Sequence, residues 1–428
     1  MNSSFLLKRL ATNCIANVRK PTHNKYVACY FQSWAIYRNG DGVFQIQDIK
    51  PEHCTHLIYA FAGLNESTYE IKSRDKWADL KDHNGKDGYN ELTKLKYRYE
   101  GLKVSLAIGG WNEDSRHYSE MAKNPKYRKR FVESVVHFLR AYNFDGLDFD
   151  WEFPNDRGGA EYDRYNFVEL LKELRAAFLP HRLGLTAAIS ADLQKMEHRY
   201  DIRRMAEYLD HIHVMTYDYH VLEGRVIMPN APLDKVNDTL TYLTSLGVRP
   251  NKFILGLPTY GRGYILVNPL RSHAENPMGK RSQEASWSGP YNNKPGFFGY
   301  NEICKAILPD AKWTQKWDNL SSTPYAMLDM KVLVYDDIRS IRSKVEVAMK
   351  LGLGGVMIWS IDTDDFRGDC APQEIRNQPE GPIKNYQYPL VQAITSALER
   401  DTNVGTTSRP IHAFVLLVFS FLVTVIRQ

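Results

Sequence analysis

The chain is poor in cysteine, and none of its cysteines stand where a bound metal would need them. Among Cys14, Cys29, Cys54, Cys304 and Cys370 there is no CxxC pair and no Cys/His cluster at zinc spacing. That argues against a structural metal, and nothing in the pattern asks for a cofactor. In an oxidising compartment five cysteines allow two disulfides and one leftover thiol, with Cys14 the odd one. In a reducing one all five would be buried thiols. Long Lys/Arg blocks are also missing, and the net charge of +5 is mild, so no nucleic acid partner is expected. The opening stretch MNSSFLLKRLATNCIANVRK lacks the apolar core of about 7–15 residues that a signal peptide carries.

Long hydrophobic runs are absent until the far end. There, Ala413 to Ile426 is apolar apart from Ser420 and Thr424, short of the roughly 20 residues a spanning helix needs. The polar stretch DTNVGTTSRP precedes it. Small residues, a spacer and an apolar tail make the pattern of a lipid-anchor signal removed on processing. A short membrane anchor and an extraneous tail are the other readings. Asn65-Glu66-Ser67, Asn237-Asp238-Thr239 and Asn319-Leu320-Ser321 are glycosylation sequons, and they tip the expectation toward an extracellular, secreted or surface-held glycoprotein.

What is present is enough for a large core: 428 residues, 43% hydrophobic and 25% charged, fitting one big α/β barrel or two to three domains. Aromatic residues reach 12%; they serve core packing, and exposed ones can stack on sugar rings. Apolar runs at 27–34, 55–64, 102–111, 144–153, 183–190, 211–219, 253–261 and 354–362 read as strands. Between them lie amphipathic stretches, clearest at Tyr127 to Tyr142 and Tyr162 to Phe178. Repeated strand–helix alternation with strands buried on both faces predicts a (β/α)8 TIM barrel. Residues 263–330 break the rhythm with Gly, Pro, Ser, Asn and aromatic residues, and read as a small α+β insertion after the seventh strand. The expected organisation is an atypical segment 1–24, a barrel formed by 25–262 and 331–398, the insertion 263–330, and a linker with apolar tail at 399–428.

Chemistry concentrates in FDGLDFDWEFP, residues 144–154. Side chains alternate faces along a strand, so Asp148, Asp150 and Glu152 point one way, and Leu147, Phe149 and Trp151 the other. Carboxylates crowded on one buried face push their pKa values apart and keep some protons near neutral pH. Glu152, last in line, belongs at the C-terminal mouth, where barrel active sites lie. A metal site would draw ligands from loops rich in Gly and Asn, and none flank this strand suitably.

The segment resembles the DGxDxDxE signature of glycoside hydrolase family 18, matched at Asp145, Gly146, Asp148, Asp150 and Glu152. Ser105 to Gly110 resembles the family's SxGG strand and Met215-Thr216-Tyr217-Asp218 its MxYD strand. Trp359 stands where the family has a tryptophan on the last strand. The similarity runs from about Lys25 to Leu398, and the insertion is similar to the extra α+β domain of animal-type chitinases. The resemblance implies a monomeric, endo-acting chitinase that cleaves β-1,4-linked N-acetylglucosamine polymers with retention and substrate assistance. Glu152 would be the proton donor, Asp150 would orient the substrate acetamide, and Asp148 would share its proton. Tyr217 would bond the acetamide oxygen. Tyr30, Phe61, Gly110, Trp111, Met215, Asp218, Arg262 and Trp359 would contact sugar, with Trp34 extending the stacking cleft. Cys29–Cys54 and Cys304–Cys370 are the disulfides it implies. A silent chitin-binding lectin or growth-factor-like protein on the same fold is the rival. An enzyme cutting the chitobiose core of N-glycans is a second.

Overall fold

The computed structural model describes residues 23–219, 225–272, 274–284, 286–308, 312–372 and 386–407. Cys14 and the apolar stretch 413–426 lie outside the described residues.

Among the described residues fourteen strands are numbered in chain order. Eight of them form a parallel ring: β1 (Tyr26–Gln32), β2 (His56–Leu64), β4 (Lys103–Gly109), β5 (Gly146–Asp150), β6 (Gly184–Ser190), β7 (His211–Met215), β8 (Phe253–Pro258) and β14 (Gly355–Trp359). They run in the order β1-β14-β8-β7-β6-β5-β4-β2, and pairing of β1 with β2 closes the barrel. The short β3 (Ile71–Ser73) pairs antiparallel with the end of β2. Alternation along each strand explains the two layers. In β1, Val27, Cys29 and Phe31 join the outer layer under the helices, while Ala28 and Tyr30 face the interior. Small inward residues such as Ala28, Ala60 and Ala107 leave space inside the ring, and polar side chains occupy it.

Among the described residues five helices reach 13 residues or more: α1 (Pro125–Ala141), α2 (Asp163–Phe178), α3 (Leu233–Ser245), α4 (Ile338–Lys350) and α5 (Pro389–Thr407). The first starts where it does because the Asn124 side chain accepts from Lys126 N and Pro125 occupies the first turn. Phe131, Val135 and Leu139, four residues apart, bury its inner face.

After β8 a single residue, Thr259, leads into a second, antiparallel sheet. It comprises β9 (Tyr260–Ile265), β10 (Phe297–Gly299), β11 (Thr314–Asp318), β12 (Thr323–Leu328) and β13 (Lys331–Val334), ordered β10-β9-β13-β12-β11. The boundaries read from sequence, 263 and 330, fall inside β9 and just ahead of β13. Thr259 N donates to Trp359 O at 3.1 Å and its hydroxyl to Ser360 O at 2.5 Å. These bonds stitch the root of the sheet to the end of β14. Disulfides join Cys29 to Cys54 and Cys304 to Cys370. Among the described residues no helix is long and apolar enough to cross a membrane.

Candidate active site

β5 is shorter than the run 144–153 read from sequence; it ends at Asp150, whose carbonyl accepts from Gly110 N at 2.9 Å. Within the motif Asp145 and Gly146 are structural. The Asp145 carboxylate accepts from Val104 N at 2.8 Å. A Cβ on Gly146 would lie 2.5 Å from Gly184 O. Leu147, Phe149 and Trp151 pack in the outer layer, whereas Asp148 and Asp150 are buried inside the ring.

Asp148 is richly partnered. It accepts from Tyr30 OH and, at 2.5 Å, from Thr186 Oγ1; His213 Nδ1 lies 3.3 Å away. Burial opposes its charge, but His213, then hydrogen bonds from Asp150 and Thr186, hold its carboxyl below the usual range. Asp150 lies in the same buried space with one oxygen, Oδ1, lacking a hydrogen-bond partner among the described residues. Burial, then the negative Asp148, drive it well above the ordinary range. The two acids therefore hold one charge and one proton between them. The single Tyr30 hydroxyl proton goes to Asp148, so His213 Nδ1–H donates to the Tyr30 oxygen at 2.7 Å. On its other side, His213 Nε2 meets Tyr26 OH at 3.2 Å.

Glu152 follows the strand end at the mouth. Burial raises its carboxyl to about 7, against Arg157, which lowers it, and with Asp218, which raises it. Arg157 Nη1 donates to Glu152 O at 2.9 Å and to Trp111 O at 2.7 Å. Its guanidinium lies 3.7 Å from the centre of the Trp111 ring. One cation thus orients the backbone of the acid and props a tryptophan that is 42% exposed.

On the opposite wall β7 stops at Met215. Thr216 Oγ1 donates to Gly256 O at 2.6 Å, and Asp218 adopts the left-handed conformation with φ 56°, so the expected run to residue 219 cannot continue as strand. The turn swings Tyr217 inward, where it sits beside Met357 and edge-on to Tyr260. Asp218 accepts from Arg262 Nε at 2.8 Å and Nη2 at 2.7 Å, and from Tyr260 OH at 2.7 Å. Arg262 is thereby held as a fork on Asp218, from the first strand of the inserted sheet.

An aromatic floor completes the cleft. Trp359 stacks on Phe61 at 5.7 Å and meets Tyr30 edge-on at 5.4 Å, while Trp34 stacks on Phe61 at 5.9 Å. Gly110 has φ +82°, and a Cβ there would meet the Phe61 ring at 2.7 Å, so this position admits no side chain. Met215 packs against the same inner cluster.

Sequence reasoning missed His213, Thr186, Arg157, Tyr260 and Phe297. His213 was legible in part, as an inward polar residue two places before Met215 on a buried strand. Arg157 lies in an irregular loop and carried no signal. Phe297 is supplied by the inserted sheet and stacks on Tyr260 at 4.7 Å; only long-range folding puts it here.

Comparison with known proteins agrees with this geometry. The family described as Glycosyl hydrolases family 18 matches residues 26–364. Probable chitinase 2 of Drosophila melanogaster is 43% identical over 417 residues, covering 92% of this chain and 85% of that protein. The crystal structure of Ostrinia furnacalis Group IV chitinase superposes with a TM-score of 0.80 at 38% identity, covering 87% of this chain and 99% of its own. Human YKL-39, described as a pseudo-chitinase with retained chitooligosaccharide binding, superposes with a TM-score of 0.75 at 30% identity, over 87% and 99%. An acid-lined cleft at the mouth of a closed parallel barrel, with matches running nearly its whole length, places this chain in glycosyl hydrolase family 18.

Proposed function

We propose that the chain is an active, endo-acting chitinase that hydrolyses β-1,4-linked N-acetylglucosamine polymers with retention of configuration. One observation carries this reading: Glu152, raised to about 7, stands next to a buried acid pair whose outer member, Asp150, has an unpartnered oxygen. A carboxyl titrating near neutrality is suited to protonate a leaving-group oxygen and then to take a proton from water. The proton passes from Glu152 to the glycosidic oxygen as the bond to the anomeric carbon breaks. The substrate's own 2-acetamido carbonyl oxygen attacks that carbon and forms an oxazolinium ion. Asp150 Oδ1 accepts from the acetamide N–H and holds the group in line; the proton Asp150 shares shifts to Asp148, so that Asp150 carries the pair's charge and counters the positive oxazolinium. The Tyr217 hydroxyl donates to the acetamide oxygen, and Trp359 supplies the apolar floor beneath the sugar. Water activated by Glu152 then opens the ring and restores the glutamic acid. The Asp150 and Tyr217 contacts both require an N-acetyl group, which disfavours cellulose and starch.

The test is release of chromophore from an aryl chitobioside or chitotrioside. The wild-type chain should turn over. Glu152→Gln should lose about 10²- to 10⁴-fold, the usual share of a general acid, while still binding the oligosaccharide. Wild-type binding without turnover would make the chain a lectin and overturn the proposal. We further read the chain as a secreted or surface-held glycoprotein, tested by release of cell-bound protein with a phospholipase specific for glycolipid anchors.

A further inference from the structure

The barrel has two ends, and only one is occupied by the cleft. At the other, the helix-to-strand loops and strand starts form a base. Exposed cations gather there: Arg98 ahead of β4, Lys103 at its start, Arg140 at the end of α1, Arg182 ahead of β6, Arg249 ahead of β8 and Lys350 at the end of α4. Of these, only Lys103 lies within salt-bridge distance of an acid among the described residues, Asp145 at 3.8 Å. The base acids Asp145 and Asp210 face Lys96 and Arg175, at 3.2 Å and 2.9 Å; Glu52, Glu100 and Glu207 are exposed at the same end, and among the described residues none of the four arginines forms an ion pair with an acid. Set among them are two of the most exposed large apolar side chains among the described residues, Tyr97 at 78% next to Arg98 and Leu179 at 65% near Arg182. Arginines interspersed with protruding Tyr and Leu suit a lipid headgroup layer, where the cations meet anionic headgroups and the rings and aliphatic groups enter the interface.

A second observation points the same way. Helix α5 runs down the outside of the barrel, and near its end Asp401 lies 3.9 Å from Lys25, whose ammonium also donates to Leu353 O at 3.3 Å. Lys25 precedes β1 and Leu353 precedes β14, so this contact marks the base. The last described turns of α5 therefore lie at the base, at the end opposite the cleft, and the apolar run 413–426 follows them in the sequence.

We propose that the base of the barrel docks on an anionic lipid surface, leaving the cleft facing outward. The inference rests in part on reading the apolar run as membrane-attaching, and the experiment separates the two. The full chain is floated with phosphatidylcholine vesicles, with and without phosphatidylserine at a fixed fraction, alongside the triple variant Arg98→Glu, Arg182→Glu, Arg249→Glu. A fluorophore is placed at Leu179→Cys or Tyr162→Cys, on the Cys14→Ser background. These sites bracket the two ends of α2, about 24 Å apart at 1.5 Å per residue. The expected result is tighter binding with phosphatidylserine, lost by about a hundredfold or more in the triple variant, because each arginine near such a surface contributes about fivefold. Spin-labelled lipid should quench the Leu179 label and spare the Tyr162 label. Flotation indifferent to both phosphatidylserine and the arginines, or equal quenching at both sites, overturns base docking while leaving tail attachment intact. No flotation under any condition overturns both. Unchanged hydrolysis of a soluble aryl chitobioside, or unchanged oligosaccharide binding, certifies that the triple variant is folded.

Discussion

Arg157 offers the sharpest test of how Glu152 is set. Its guanidinium lowers the Glu152 carboxyl while burial raises it, and the balance stands at about 7. Replacing Arg157 with Gln keeps a donor of similar reach and removes the charge. At an effective dielectric of about 20, a full charge some 4 Å away is worth about 4 kcal/mol. Arg157 is partly exposed and bonds the backbone of Glu152 rather than its carboxylate, so most of that is screened. We expect about 0.7–1.4 kcal/mol, which is about half a pH unit to one pH unit. The sign is fixed: losing a nearby cation disfavours the carboxylate, so the proton is held more tightly. In kcat/KM against pH on an aryl chitobioside, wild type should lose activity as pH rises through about 7. The Arg157→Gln limb should lie at higher pH. Loss of support for Trp111 will also raise KM, but that moves the height of the profile and not the position of its limb. A limb that stays put, or moves to lower pH, would refute the assignment of Glu152 as the titrating acid under Arg157 control.

Other outcomes follow from the same geometry. Gly110→Ala should cut kcat/KM and lower the melting temperature, because the added methyl meets the Phe61 ring at 2.7 Å; a misfit of this kind typically costs about 1–3 kcal/mol. Asp362→Asn should destabilise by about 3–5 kcal/mol in urea titration, since it strands the buried Arg38 that bonds it and Gln32. Replacing both Cys29 and Cys54 by Ser opens a 25-residue link and should cost about 3.5 kcal/mol, read by thermal unfolding under non-reducing conditions. Asp150→Asn should reduce turnover of acetylated substrates severely while the melting temperature holds or rises, because a proton-sharing pair is replaced by a neutral neighbour.

Much of the barrel was legible because burial on both faces leaves a strong record: seven of the eight runs contain a barrel strand whole, and the eighth, 27–34, misses only Tyr26 at the start of β1. The ends were not legible. Apolar runs continue past the last ladder hydrogen bond, so 144–153 and 211–219 overran β5 and β7. There a hydroxyl-to-carbonyl bond at Thr216 and a left-handed Asp218 stop the strand, and neither has a periodic signature. The insertion was read from its composition and from its likeness to the extra domain of animal-type chitinases, and its strands were not placed, since short antiparallel strands rich in Gly and aromatics lack a clear period.

The sequence alone determined the alternation of Asp148 and Asp150 with Leu147 and Phe149, because a strand has a side-chain period of two and nothing distant can change it. It also determined that a buried acidic stripe must share protons. What it could not decide is which acid keeps the charge. That depends on Tyr30 from β1, Thr186 from β6 and His213 from β7 converging on Asp148 and leaving Asp150 Oδ1 bare. Likewise the fork of Arg262 on Asp218 joins residues 44 positions apart, and the prop of Arg157 under Trp111 joins 46. Electrostatic and stacking energies fall off with distance in space and not along the chain, so only the closed barrel could assign them.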